Sequence, residues 1–252
     1  MAMEKSRVLV VGGTGFVGRR VVAASLAAGH PTYVLLRPEI GLDIDKLQML
    51  LAFKARGARL LEAMGDALEP GRVSFDEKMV IRRAIEDANI PHTYISANCF
   101  AAYFCPNLCQ MKTLLPPKER VGVYGDGNVK VFFVDENDVG TYAIKSIDDP
   151  RTLNKTIYIR PQDNCLTQNE LISKWETLTG KSLEKFHIPG DEFLASMKDL
   201  DFASQVGIGH YYHIFYEGCL ANFEIGDNGA EATQLYPEVQ YTRMDEYLKR
   251  YI

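Results

Sequence analysis

Val8-Leu9-Val10-Val11-Gly12-Gly13-Thr14-Gly15-Phe16-Val17-Gly18-Arg19-Arg20 decides the fold of this chain. Four consecutive β-forming apolar residues read as a parallel strand buried on both faces. They run into G-x-x-G-x-x-G and then into apolar residues 21–28 at helical spacing. Strand, glycine turn and helix in that order form the dinucleotide-binding turn. The early glycines permit a tight turn and close approach of backbone N–H groups to a pyrophosphate. Gly18 lets the helix pack close to the strand, and the helix start offers unpaired N–H groups and the positive end of its dipole to the anion.

Outward from that turn, strands and helices alternate through the first hundred residues. A helix is expected over 16–28, a strand over 32–36, an amphipathic helix over 44–56 and a short strand over 58–61. A longer helix over 74–89 opens on Ser74 with Glu77 three residues on, a capping box. Pro91 stops it, and a strand over 93–96 follows. This alternation predicts an α/β fold, a Rossmann-type doubly wound parallel sheet. Beyond residue 100 the pattern changes. Strands over 121–124 and 130–134 flank Gly125-Asp126-Gly127-Asn128, a hairpin-type turn. Helices are expected over 138–147, over 166–178 with Thr167 and Glu170 as a second capping box, and over 191–197, 208–216 and 244–251, with a strand over 156–159. Residues 1–100 are therefore expected to form the nucleotide-binding domain. Residues 101–252 form a smaller α/β substrate domain, some of whose elements return to the first.

The 252 residues carry 28 basic and 33 acidic side chains, a net charge of −5, which excludes a broad nucleic-acid footprint. No run approaches the ~20 apolar residues of a membrane helix, and the strand begins too early for a cleaved leader, so a cytoplasmic protein is expected. Cys99, Cys105, Cys109, Cys165 and Cys219 are odd in number and match no zinc spacing. They are expected to be free structural thiols.

The end of the second strand chooses the cofactor. An acidic residue there would bind a ribose 2′-hydroxyl and repel a 2′-phosphate. This chain has Arg37, a permanently charged forked donor suited to phosphate, and Lys46 on the next helix as a second positive contact. NADPH/NADP+ is the expected cofactor.

Several stretches resemble the plant benzylic-ether and isoflavone reductase family, atypical short-chain reductases related to NmrA-like proteins. They are the glycine turn, Arg37-Pro38-Glu39, residues 75–100, Tyr124-Gly125-Asp126-Gly127-Asn128 and Thr152-Leu153-Asn154-Lys155-Thr156. Residues 64–72 and 208–213 are most similar to the lignan-reducing members. The resemblance implies a reductase opening the benzylic ethers of furofuran lignans, pinoresinol to lariciresinol and on to secoisolariciresinol. A phenylcoumaran or isoflavone reductase is the alternative within the family. It implies Lys78 as general base: removal of a phenolic proton expels the para-benzylic ether oxygen, and hydride adds to the resulting quinone methide. Without the resemblance Lys78 reads as one solvated lysine on a charged helix. The implied cofactor residues are Gly12, Thr14, Gly15, Phe16, Val17 and Gly18 in the turn, Arg37 and Lys46, and Asn98 and Phe100 beside the nicotinamide. Phe100, Tyr103 and His210 are implied to face a small phenolic lignan. A homodimer is implied, and no nucleic-acid, membrane or metal partner; the His210-x-x-His213 pair lacks a nearby third ligand.

The chain departs from the resemblance at one place. Family members carry roughly 60 further residues, about two βα units of ~30 residues, between the third strand and the lysine helix. Here Ala63 meets Met64 directly. An omission from the numbered chain, an engineered deletion and a natural skip all fit. Loss of that segment would strip the sheet of central strands and expose apolar edges, and it keeps open a catalytically silent NADP-binding protein or regulator.

Overall fold

The computed structural model describes residues 5–36, 48–49, 52–53, 55–56, 59–62, 82–198, 200–221 and 223–252. Arg37, Lys46 and Lys78 lie outside these residues, as does much of the helices expected over 44–56 and 74–89. Of the latter, residues 82–87 are described and are helical.

Strand β1 (Val8–Val11) passes through the glycine turn into α1 (Gly18–Ala27), and β2 (Thr32–Leu36) and β3 (Arg59–Glu62) follow. The three strands are parallel in the order β1-β2-β3, with Val8 opposite Thr32 and Leu35 opposite Leu61. Val8, Val10 and Val34 close on Val22 of α1, Phe53 and Ile144 as one small core. A buried polar pair beneath it is satisfied internally, Ser25 Oγ lying 2.8 Å from Thr32 Oγ1.

A second parallel sheet has the order β11-β8-β4, from β4 (Thr93–Ser96), β8 (Lys155–Tyr158) and β11 (Gly229–Glu231). After β4, Asn98 turns the chain at φ +55° and ties back through its amide to Ile159 O at 2.7 Å. The chain then enters β5 (Cys99–Phe100), which pairs with β7 (Lys130–Val134), and the short α2 (Ala101–Phe104). Helix α3 (Glu136–Ser146) packs along α1. Asp135 caps α3 by accepting the Asn137 N–H.

The hairpin expected around Gly125–Asn128 does not form. β6 (Arg120–Tyr124) pairs in parallel with β10 (Glu184–Ile188), while β7 pairs with β5 and, antiparallel, with β9 (Cys165–Thr167). The turn itself is present, Gly127 N–H donating to Tyr124 O. However, two glutamines fill the edge of β6 that β7 would have taken. The Gln110 amide accepts from Gly122 N and donates to Gly122 O, and the Gln168 amide accepts from Tyr124 N and donates to Gly122 O, all within 3.0 Å. Side chains that satisfy a buried edge leave the next strand free to depart.

The capping box at Thr167 and Glu170 opens α4 (Gln168–Thr179) as expected, and Gly180 ends it in the left-handed region. Farther on come α5 (Gly190–Ala195), α6 (Phe202–Phe215), α7 (Ala232–Leu235) and α8 (Met244–Leu248). Helix α6 starts six residues before the expected boundary, because Asp201 caps it by accepting from Ser204 N. All five cysteines are free, and burial pushes the Cys99, Cys105 and Cys109 thiols up, keeping them protonated and inert.

Candidate active site

The glycine turn presents an open cradle. Gly12 holds φ +73°, and a Cβ there would meet nothing within 4 Å, whereas a Cβ on Gly18 would lie 2.1 Å from Gly12 O. The turn is closed by Gly15 N–H donating to Gly12 O at 2.9 Å. Helix α1 has no side-chain cap and no acidic residue in its first turn. Arg19 N–H and Arg20 N–H are taken by Gly15 O and Val17 O, so α1 offers an anionic pyrophosphate the positive end of its dipole, unblocked by any acidic side chain. These residues fit a dinucleotide.

Phe16, at the tip of the turn, meets Phe100 edge to face, with ring centroids 6.2 Å apart. Both line a cavity of about 550 Å³ shared with Tyr103, Phe104, His210 and Tyr211. The walls come from four places: the turn after β1, the end of β5 with α2, Leu114 in the loop beyond α2, and the middle of α6. Tyr103 is half exposed at the rim, while Phe104 and Tyr211 pack on Phe215 as the floor. Burial pushes the Tyr211 hydroxyl far up, so that it stays neutral and cannot act as a base. The cavity is an aromatic slot with few polar groups, suited to a flat phenolic ligand.

A buried carboxylate holds these walls together. Glu136, 1 % exposed, accepts the Ala102 N–H at 2.7 Å. That amide lies in the first turn of α2, two residues after Phe100, and α2 has no side-chain cap of its own. The other Glu136 oxygen lies 3.9 Å from Arg20 Nη2 and accepts from the Tyr247 hydroxyl at 3.4 Å. The Arg20 guanidinium stands 4.2 Å over the Phe16 ring and donates to Phe16 O. One acid thus joins the glycine turn to the substrate wall. Sequence reading sees Glu136 only as a helix-start acid; its position directly after the apolar strand Lys130–Val134 is the one signal of burial.

The structure brings together Phe16, Phe100, Tyr103 and His210, with the turn from Gly12 through Thr14, Gly15, Val17 and Gly18 running into them. The Asn98 amide is engaged with Ile159 O. Lys78, Arg37 and Lys46 fall outside the described residues. Among the described residues no group of three His, Cys, Asp or Glu could hold a metal, and no helix is long and apolar enough to cross a membrane.

The model of the NmrA-like family matches residues 4–67 and again 64–248. An isoflavone reductase homolog of Lupinus albus is 56 % identical over 312 aligned positions, covering 99 % of this chain and all of the relative. The bifunctional pinoresinol-lariciresinol reductase of Linum perenne is 50 % identical over 314 positions, covering 99 % of this chain and all of the relative. A solved structure of AtPrR2 with NADP+ and (+)pinoresinol is 48 % identical with a TM-score of 0.92, covering 99 % of both chains.

Proposed function

This chain belongs to the NmrA-like family, and from that premise we propose that it is an NADPH-dependent reductase that opens benzylic ethers of furofuran lignans, pinoresinol to lariciresinol. The observation that carries this reading is the junction of an uncapped glycine turn with an aromatic slot through the Phe16–Phe100 contact. In this reading a dinucleotide site lies next to a site for a phenol. The likeness to pinoresinol-lariciresinol reductases, and to a structure holding NADP+ and (+)pinoresinol, supports the same pairing.

In this reading Gly12, Thr14, Gly15, Phe16, Val17 and Gly18 bind the pyrophosphate, and Arg37 and Lys46 the 2′-phosphate. Asn98 and Phe100 lie beside the nicotinamide. When bound, NADPH supplies the hydride. Phe100, Tyr103 and His210 orient the substrate rings, and the apolar floor excludes water from the reacting carbon. Lys78 removes the proton from the substrate phenol, which requires a pKa lowered towards working pH; Arg82, four residues on in the sequence, would supply a positive neighbour. A cytosolic homodimer is part of the same reading and rests on family resemblance.

The test is turnover of (+)-pinoresinol with NADPH, followed by chromatography of lariciresinol. Product should form, and methylating the para-phenol should block it. Lys78→Ala should lower kcat by about 10²–10⁴-fold, the range for general-base removal, with NADPH affinity close to unchanged. Turnover that survives phenol methylation would overturn the mechanism, and preferential turnover of an isoflavone would move the substrate. One observation favours a second reading, NADPH binding without turnover. The Lupinus albus alignment spans about 60 more positions than this chain has residues.

A further inference from the structure

Among the described residues, two groups hydrogen-bond the Glu136 carboxylate. Ala102 N–H donates to Oε1 at 2.7 Å, and the Tyr247 hydroxyl donates to Oε2 at 3.4 Å. Arg20 Nη2, 3.9 Å from Oε2, lies beyond hydrogen-bond reach and attracts the charge without fixing its direction. A carboxylate is planar, so one hydrogen bond on each oxygen sets the rotation of the whole group. The Tyr247 hydroxyl therefore decides how squarely Glu136 meets Ala102 and Arg20.

That hydroxyl is delivered by a firmly held element outside the cavity. Tyr247 lies in α8 with Met244 and Leu248, and all three are buried. The same segment grips the start of α3 at two further acids. Thr242 N–H donates to Asp138 Oδ2 and Arg250 Nη2 to Asp135 Oδ2, each at 2.8 Å. Asn164 Oδ1 accepts from Met244 N–H, and Lys174 pairs with Asp245. Burial pushes the Tyr247 hydroxyl far up, so it stays neutral and donates to the carboxylate. Phenylalanine would serve for packing alone, since a buried hydroxyl costs free energy unless it is bonded.

We propose that Tyr247 is a positioning residue, aiming Glu136 at the glycine turn on one side and at the substrate wall on the other. On the first side the Arg20 guanidinium stands 4.2 Å over the Phe16 ring and donates to Phe16 O, so its place sets the tip of the turn. On the second, Ala102 lies between Phe100 and Tyr103 in the chain, and all three line the slot. A residue that touches neither ligand thus sets the spacing between their two sites, as a supporting contact does for groups that must be held in place. This inference deepens the reductase reading and rests on it for the two ligands; the chain of contacts from Tyr247 to Ala102 does not depend on it.

Tyr247→Phe keeps the ring and removes the hydroxyl alone. In the protein without ligands, exchange of the Ala102 amide should rise about 5-fold relative to that of Cys105, the worth of one ordinary hydrogen bond. Cys105 N–H donates to Ala101 O in the same short helix, so a general loosening would speed both amides alike, and that result would overturn the proposal. The dissociation constant for NADPH and the KM for (+)-pinoresinol should each rise by about the same factor, with kcat little changed. A fall in kcat with both of those constants unmoved would also overturn it. In a Glu136→Ala background the hydroxyl has nothing left to aim. Adding Tyr247→Phe there should change the NADPH constant by less than about twofold, and fully additive effects would refute the route through Glu136. Should Glu136→Ala not fold, the comparison of Ala102 with Cys105 decides alone. A chain that takes up no NADPH would sink the reductase reading, while the amide comparison would still uphold or overturn the link from Tyr247 to Ala102.

Discussion

Replacing Glu136 by alanine should destabilise the chain by about 3 kcal/mol. The figure follows from what the carboxylate holds. Losing it leaves the Ala102 N–H buried without a partner, a cost of roughly 1–3 kcal/mol, at an amide that Glu136 meets at 2.7 Å. It also strands the Arg20 guanidinium, and breaking a buried ion pair costs about 3–5 kcal/mol. The Arg20 side chain is 16 % exposed and its nitrogen is 3.9 Å away, so the low end of that range applies to the two losses together. A chain of this size loses roughly 2–4 °C in Tm per kcal/mol, which gives a drop of about 6–12 °C. Glu136→Gln keeps an acceptor for Ala102 but leaves Arg20 without its counter-charge, so it should lose less than the alanine variant by the share owed to the Ala102 contact. Thermal and urea melts of both variants provide the measurement. Equal losses for the two substitutions would refute the assignment of the Ala102 contact. A loss below about 1 kcal/mol for the alanine variant, an ordinary surface effect, would refute the buried pair.

Two further outcomes are expected. Arg37→Ala should weaken NADPH selectively, by about 1.5–3 kcal/mol for one charge-assisted contact, and leave NADH unchanged; equal weakening of both in a titration would remove Arg37 from the 2′-phosphate. Burial pushes the Asp138 carboxyl up to about 7, against an opposing hydrogen bond from Thr242 N–H and with Asp135 adding in the same direction. The folded state therefore holds a proton that the unfolded state releases above pH ~4, and stability falls as pH rises from about 4 to 7. Asp138→Asn removes that slope, so its stability relative to the parent should grow by up to roughly 1.4 kcal/mol per pH unit across the window. Parallel pH profiles of the two proteins would contradict this.

Much of the nucleotide half is legible in the sequence, because its signals are local. Val8–Val11, the glycine turn and Thr32–Leu36 are each specified by residues within a few positions of one another, and the structure has them in place. The capping box at Thr167 is legible for the same reason. The hairpin fails because what displaces it is distant. Gln110 and Gln168 reach the β6 edge from twelve or more positions away, and a local turn motif carries no trace of them. β10 and β11 are missed likewise: Glu184–Ile188 is largely exposed and alternates in no useful way, and Gly229–Glu231 is three residues long. In the site, Phe100, Tyr103 and His210 come from family resemblance, since as residues they are ordinary aromatics. Their meeting in one cavity depends on the path from Asn98 through α2 and on the packing of α6. Glu136 escapes because a carboxylate after a strand looks like a helix cap until its partners are seen.

The packing of α3 along α1 governs how the molecule comes apart. Among the described residues no ladder joins β1, β2 and β3 to β4, β8 and β11. The two strand groups are held in one body chiefly by that helix pair and by the Arg20–Glu136 contact across it. Cooperativity therefore passes through side-chain packing rather than along hydrogen bonds. Among the described residues, the N-terminal group rests on six buried side chains, Ile144 of α3 among them; the C-terminal body, including the aromatic cluster around Tyr124, Tyr211 and Phe215, rests on many more. The smaller unit opens at lower free energy, carrying the glycine turn with it, while the larger stays folded. Local opening of the glycine-turn unit should therefore precede the global melt, which a continuous sheet would not allow.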